Sequence, residues 1–281
     1  SSRLKTGKTK LAEKICGREM IVYPTKLLSD LHIPTTLVVG FQKELIIDLI
    51  TREFPTSTPH FVEQKEQLGT GHAVSCSKEL WTKDHILIMN GDMPLVSHEI
   101  IEQLYTQHTK NNATFSFVTA HNCEPTAAGY GRIVQNENSI EIIEAKEFKE
   151  DIAENCCINA GIYLVKRTFL EQYMQQLQKS SVTGEWYITD LVKIASDNGL
   201  IVETLSASFD LIRGVNTFKE LWAVEQVKKA EIIKYWMDHG VRFSAAQNVH
   251  IDQDVTIKAG SYIDSGVQLL GKTHISKNCT I

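Results

Sequence analysis

The six cysteines, Cys16, Cys76, Cys123, Cys156, Cys157 and Cys279, include no Cys-x-x-Cys pair. That absence argues against a zinc site and against a disulfide scaffold, and suits a reducing cytoplasm. No apolar run approaches the ~18 residues that mark a bilayer span, and there is no signal-peptide pattern. The expectation is a cytosolic chain without membrane insertion. Charge of one sign is missing too: 29 Lys and Arg stand against 34 Asp and Glu, a net of −5. Such a field favours neither nucleic acid nor anionic membrane, so any phosphate site has to be local. What remains, 281 residues at 42% hydrophobic and 22% charged, is ordinary globular composition, long enough for one large domain or two modest ones.

One further absence lies at the start. Ser1 to Lys10 is a basic, small-residue loop with no apolar strand before it. A doubly wound domain needs its central strand, so the expectation is that the natural chain begins earlier.

Among the features present, the apolar run Ile86 to Met89 ends abruptly in Asn90-Gly91-Asp92. It shows no polar alternation, which predicts a strand covered on both faces in a parallel sheet. Ligands of open α/β sheets bind at the carboxyl ends of strands, and Gly91 allows close approach there. Asp92 is therefore a candidate metal ligand, although Asn-Gly-Asp alone is also an ordinary turn.

The first half alternates strands and helices, as parallel βαβ units do. Thr35 to Val39, His60 to Val62, Ile86 to Met89 and Thr114 to Thr119 read as strands, and Gln42 to Phe54, Gly71 to Trp81 and His98 to Asn111 as helices. Arg18 to His32 reads as a helix broken or started near Pro24. Further on, Arg132-Ile133-Val134 and Ile140 to Glu144 flank Asn136-Glu137-Asn138 as a hairpin, followed by a strand over Cys157 to Val165 and helices over Lys166 to Gln178 and Leu191 to Asn198. Thr217-Phe218-Lys219-Glu220 is a capping box that opens a helix to about His239. Beyond it Ile251, Ile257, Ile263, Leu269, Ile275 and Ile281 recur every sixth residue, the period of a parallel β-helix. The expected domains are residues 1–216, a linker helix over 217–240 and a partial β-helix over 241–281.

Six motifs stand in register: Gln64-x-x-Gln67-Leu68-Gly69-Thr70-Gly71-His72, Asn90-Gly91-Asp92-x-Pro94-Leu95, Gly129-Tyr130-Gly131-Arg132-Ile133, Asn159 with Gly161, Gly184-Glu185-Trp186-Tyr187-Ile188-Thr189-Asp190, and Gly214-Val215-Asn216. Together they closely resemble the bacterial N-acetylglucosamine-1-phosphate uridylyltransferases, which are often bifunctional and carry a left-handed β-helix domain that acetylates glucosamine 1-phosphate. The resemblance implies an α/β, Rossmann-like nucleotidyltransferase domain with a mixed sheet, then a linker helix and the start of a left-handed parallel β-helix. It implies that UTP and N-acetylglucosamine 1-phosphate are joined to UDP-N-acetylglucosamine with Mg²⁺, for cell-envelope precursors, with a homotrimer formed through the β-helix.

Carried over by position, Arg3 and Lys10 resemble the catalytic basic residues that hold the nucleotide phosphates. Gln64, Gly69 and Thr70 match the uracil side, with Asn90, Gly91 and Asp92 also on the nucleotide. Asp92 and Asn216 match the magnesium ligands. Gly131, Glu144, Asn159, Tyr187, Thr189 and Asn216 match the sugar-phosphate side. The sequence departs from the family at its start, where the first strand and glycine are missing and Thr9-Lys10 replaces Pro-Lys, and at its end, where the five hexad intervals fall short of the acetyltransferase coils. No acetyltransferase activity is expected of this chain. Two alternatives stay open: a nucleotidyltransferase for another sugar 1-phosphate, and a non-catalytic UDP-sugar-binding or trimeric scaffold protein.

Overall fold

A computed structural model describes residues 7–136, 139–148 and 155–281. It divides into two compact units, one of Lys26–Asn90 and Val96–Arg213, the other of the chain up to Thr25 with Gly91–Leu95 and Gly214–Ile281.

The first described strands form a two-residue antiparallel hairpin, β1 (Lys14–Ile15) against β2 (Arg18–Glu19). Cys16 and Gly17 turn it with φ of 45° and 80°, the positive pair that a tight hairpin needs. Of the two readings of this stretch, the helix that starts near Pro24 is the one formed, as α1 (Val22–Asp30). Pro24 sits in its first turn, where the N–H it lacks would have had no intrahelical acceptor.

β3 (Thr36–Val39) and β4 (His60–Glu63) pair in parallel on either side of α2 (Lys43–Glu53). α3 (Thr70–Cys76) is shorter than expected, because Lys78–Leu80 form a separate 3-10 turn. Then come β5 (His85–Met89), α4 (His98–Lys110), β6 (Phe115–His121), β7 (Arg132–Gln135), β8 (Ile140–Ile143) and β9 (Cys157–Lys166). α5 (Arg167–Tyr173), α6 (Asp190–Asp197), β10 (Val202–Ser206) and α7 (Phe209–Ile212) complete this unit. The helix expected over Lys166 to Gln178 thus stops early and passes into a 3-10 turn at Met174–Gln176.

The sheet runs β10-β6-β9-β7-β8, with β5 also alongside β9. β6 and β10 are parallel, while β5, β6 and β7 all run antiparallel to β9. This is the mixed sheet that the resemblance implied. It corrects the reading of β5, whose described ladder is antiparallel and whose five residues are all half-buried rather than covered on both faces. An apolar run reports burial, and carries no information about the direction of its neighbour. β7 and β8 form the expected antiparallel pair; Glu137 and Asn138 of its turn lie outside the described residues.

β9 organises this unit. Gly161, at φ 76°, separates its residue paired with β7 (Ile158) from those paired with β5 (Ile162 onward). Around it Phe115 meets Phe117, Tyr163 and Phe169 edge-to-face at centroid distances of 6.5, 5.9 and 6.2 Å, the arrangement favoured by ring quadrupoles. At the start of β9, Cys156 is disulfide-bonded to Cys123 with a Cα–Cα distance of 4.6 Å. The cysteine spacing gave no sign of this bond, because 33 residues separate the partners and only the sheet brings them together.

The other unit continues with α8 (Phe218–Asp238), whose capping box is complete: Thr217 Oγ1 accepts from Glu220 N at 3.2 Å, and Glu220 Oε2 accepts from Thr217 N at 2.8 Å. Short strands follow: β11 (Arg242–Phe243), β12 (His250–Ile251), β13 (Thr256–Ile257), β14 (Tyr262–Ile263), β15 (Gln268–Leu269) and β16 (His274–Ile275). β12 pairs in parallel with β15 and β13 with β16, placing Ile251 beside Leu269 and Ile257 beside Ile275. Partners lie three hexads apart, so each coil has three faces. Ile251, Ile257, Ile263 and Leu269 are buried together with Ile15, Val224 and Ile232. Burying each such side chain contributes about 1.5–3 kcal/mol. Among the described residues no helix is long and apolar enough to cross a membrane.

Candidate active site

Three of the expected residues meet within the unit that holds α8. Lys10 opens a 3-10 turn, Lys10–Ala12, and its side chain is nearly buried. Its ammonium donates to Asp92 Oδ2, with which it forms an ion pair, and to Asn216 Oδ1 at 2.7 Å. The backbone holds these acceptors in place. Val215 N donates to the Asp92 carbonyl at 3.2 Å, and Glu220 Oε2 accepts from Asn216 N at 2.7 Å. Gly91 gives room as well, because a Cβ there would stand 2.8 Å from Ile21 Cδ1.

Asp92 and Asn216 accept from the same nitrogen, so their oxygens converge on one cation position. A carboxylate and an amide oxygen are hard donors of the kind Mg²⁺ takes, the remaining positions going to water and phosphate. The donor set fits Mg²⁺, with the Lys10 ammonium standing where a cation is wanted. Arg3 lies outside the described residues.

The other expected residues belong to the unit built on β9, in two groups. In the first, Gln64 follows β4 and its Nε2 donates to Gly69 O at 3.0 Å. A carbonyl can only accept, which fixes the amide orientation. The same NH₂ lies 3.0 Å from His72 Nδ1, so that nitrogen is the acceptor and the imidazole proton sits on Nε2. Gln64 Oε1 is left without a partner among the described residues. Thr70 Oγ1 accepts from Ile188 N at 3.0 Å and Gly71 N donates to Trp186 O at 2.8 Å, stitching the loop to the Trp186 segment. Gly69 has φ 104°, and a Cβ there would meet Trp186 O at 2.4 Å, so no other residue fits.

In the second group, Thr189 Oγ1 donates to Glu144 Oε1 at 2.8 Å. Asn159 N donates to Gly131 O at 3.0 Å, and its side chain bridges Tyr163 OH at 2.7 Å and Gly161 N at 3.1 Å. A Cβ on Gly131 would lie 3.8 Å from Glu144 Cα, which links the two pairs. Burial raises the pKa of Glu144 above the usual carboxylate range, partly offset by the Thr189 hydrogen bond. Asp190 is pushed up to about 6, first by burial and then by Glu147 and Glu144. Tyr187 is buried with its hydroxyl 2.7 Å from Thr183 Oγ1, apart from the hydrogen bonds that tie Glu144 to Thr189 and Asn159 to Tyr163. Two further residues of the motifs act here. His72, two residues after Thr70, orients Gln64, and Asp190, directly after Thr189, adds a desolvated carboxyl.

The family model described as nucleotidyl transferase matches residues 5–249. The chain belongs to the nucleotidyl transferase family. Among its relatives, the bifunctional protein GlmU of Clostridium tetani is 32% identical over 283 residues, covering 99% of this chain and 61% of the relative. The protein of the same name from Clostridioides difficile is 31% identical over 285 residues, covering 100% of this chain and 61% of the relative. The chain thus spans about three-fifths of the length of these relatives. A crystal structure of a UDP-glucose pyrophosphorylase complexed with UDP-glucose superposes with a TM-score of 0.62 at 15% identity, over 79% of this chain and 90% of that one. At that identity the likeness concerns the fold of this nucleotidyl transferase family member.

Proposed function

We propose that the chain is a uridylyltransferase that joins UTP to N-acetylglucosamine 1-phosphate, giving UDP-N-acetylglucosamine and pyrophosphate. The observation that carries this reading is the convergence of Asp92 and Asn216 on one cation position beside Lys10, in a family of nucleotidyl transferases. The functional division goes with it: residues 1–216 carry the transfer, 217–240 link, and 241–281 form β-helix coils through which a homotrimer assembles.

In the transfer a phosphate oxygen of the sugar phosphate forms a bond to the α-phosphorus of UTP, while the bond from that phosphorus to the β-bridging oxygen breaks and pyrophosphate departs. Two polyanions have to be brought together, so fixed positive charge and in-line positioning carry the rate. Mg²⁺ held by Asp92 and Asn216 would stabilise the charge that develops on the leaving pyrophosphate. Lys10, with Arg3, supplies cationic charge to the nucleotide phosphates.

Base choice is supported by the orientation of Gln64. Its free Oε1 can accept from the N3–H of uracil, whereas the N3 of cytosine has no proton to give. On the sugar side, Asn159, Glu144 and Thr189 offer amide, carboxyl and hydroxyl groups for the hydroxyls and acetamido group of the sugar.

The test is pyrophosphate release with UTP, N-acetylglucosamine 1-phosphate and Mg²⁺, with each left out in turn and glucose 1-phosphate as the competing sugar. Release that needs all three and prefers the acetylated sugar is the expected result. A folded protein that releases none, or that prefers glucose 1-phosphate, overturns this assignment.

A further inference from the structure

The corner where β6 ends and β9 begins holds chemistry that the transfer does not use. His121 ends β6 opposite Cys157 in the ladder, Cys123 follows two residues later, and Cys156 immediately precedes β9. The main chain is tied down around them. Asn122 N donates to Cys156 O at 2.8 Å, Glu124 N to Asn122 Oδ1 at 2.7 Å, and Cys157 N to Asn155 Oδ1 at 2.8 Å. His121 Nε2, Cys123 Sγ and Cys156 Sγ all lie within 4.8 Å of one another, with His121 and Cys123 exposed and Cys156 half-buried.

We propose that this corner is a redox-gated site for a borderline-soft divalent cation of the zinc class. His121 and the thiolates of Cys123 and Cys156 hold the ion in the reduced protein, and the Cys123–Cys156 disulfide excludes it.

The distances favour a tetrahedral ion. With metal–nitrogen and metal–sulfur bonds of about 2.0 and 2.3 Å, two ligands on one tetrahedral ion stand about 3.5 Å apart for N and S and about 3.8 Å for two S. His121 Nε2 already lies 3.6 Å from Cys123 Sγ. Once the disulfide is cut, rotation about a single side-chain bond opens the two sulfurs to that spacing without moving the strands. Three protein ligands leave the fourth position to water. Two thiolates and an imidazole select zinc-class ions over Mg²⁺, which prefers oxygen, so this corner and the Asp92–Asn216 pair sort different metals. The gate balances chemically. A phosphine reductant takes an oxygen from water and delivers two hydrogens to the sulfurs, and metal binding then releases the two thiol protons.

The test uses Co²⁺ as the probe on the full chain, before and after phosphine reduction and removal of the reductant. Reduced protein is expected to bind one equivalent with a thiolate-to-cobalt charge-transfer band, and untreated protein to show none. The band should disappear in Cys123→Ser, and Co²⁺ affinity should fall at least about tenfold in His121→Ala, which leaves the disulfide intact and guards against misfolding of the cysteine variant. The proposal is overturned if reduced protein with an unchanged thermal melt shows no band, if the band persists in both variants, or if untreated protein binds equally well.

Discussion

Two polar groups of residues in this chain handle charge in opposite ways. At Lys10, Asp92 and Asn216 a nearly buried carboxylate is balanced by an ammonium, and both oxygens face that one cation. At Glu144, Thr189, Asn159 and Asp190 the carboxyls meet hydroxyls and other carboxyls, and burial pushes their pKa values up. The first arrangement keeps its charge by pairing it. The second keeps its carboxyl groups desolvated, at a cost in stability. Removing a charge should therefore have opposite signs in the two places.

The largest expected effect is in the first group. Asp92→Ala should lower the rate of pyrophosphate release by at least about a hundredfold. Its melting temperature should also fall, because Lys10 is left with an unpaired, nearly buried charge. An unchanged melt would break the contrast.

In the second group Asp190→Asn should stabilise the protein at neutral pH. A carboxyl whose pKa rises on folding from 3.8 to about 6 favours the folded state fully only below the unfolded value, and that advantage is lost as pH rises through about 6. The gain at pH 7.5 should be no more than about 2 kcal/mol after screening, and should vanish near pH 4. Melts at the two pH values check the sign. His108 gives the opposite slope in the same unit. Its pKa is lowered to about 4, first by burial and then by His85 and Lys166, so the stability it contributes is complete above about 6.5 and is lost as pH falls toward 4. Replacing His108 with Asn should flatten that acid limb.

Glu144→Gln keeps an oxygen for Thr189 and removes the desolvated charge. KM for the sugar phosphate should rise about tenfold with little change in kcat, as one ligand hydrogen bond to a charged group is lost. The smallest effect is expected of His72→Ala, which frees the Gln64 amide to turn. The preference for UTP over CTP should fall about threefold with the fold intact, the scale of one neutral hydrogen bond. Steady-state kinetics with each nucleotide reads it directly.

The sequence made the coil legible and the hairpin illegible, and the reason is physical. Ile251, Ile257, Ile263 and Leu269 are buried one after another, so the period of six appears directly in residue type. The β1–β2 hairpin has two residues per strand and turns at Cys16, a residue that rarely adopts φ of 45°, so neither period nor turn residue announces it. β5 was legible as a strand, but its antiparallel partner β9 lies more than 70 residues away, and direction leaves no mark on hydrophobicity. The same holds for the disulfide, a contact made by the sheet rather than by spacing. Of the candidate site, Asp92 could be reasoned from its place after an apolar run. Lys10, Asn216 and Glu144 came only from resemblance, because each lies in a loop or at a helix edge where residue type alone says little.

Glu220 ties the first group to a mechanical element. One carboxylate oxygen accepts from the backbone of both Asn216 and Thr217, so the residue that closes the first turn of α8 also sets where the Asn216 amide stands. Helix α8 in turn buries Val224 and Ile232 in the core shared with the coils. The capping box therefore couples the placement of the Asn216 amide to the seating of α8 on the coils.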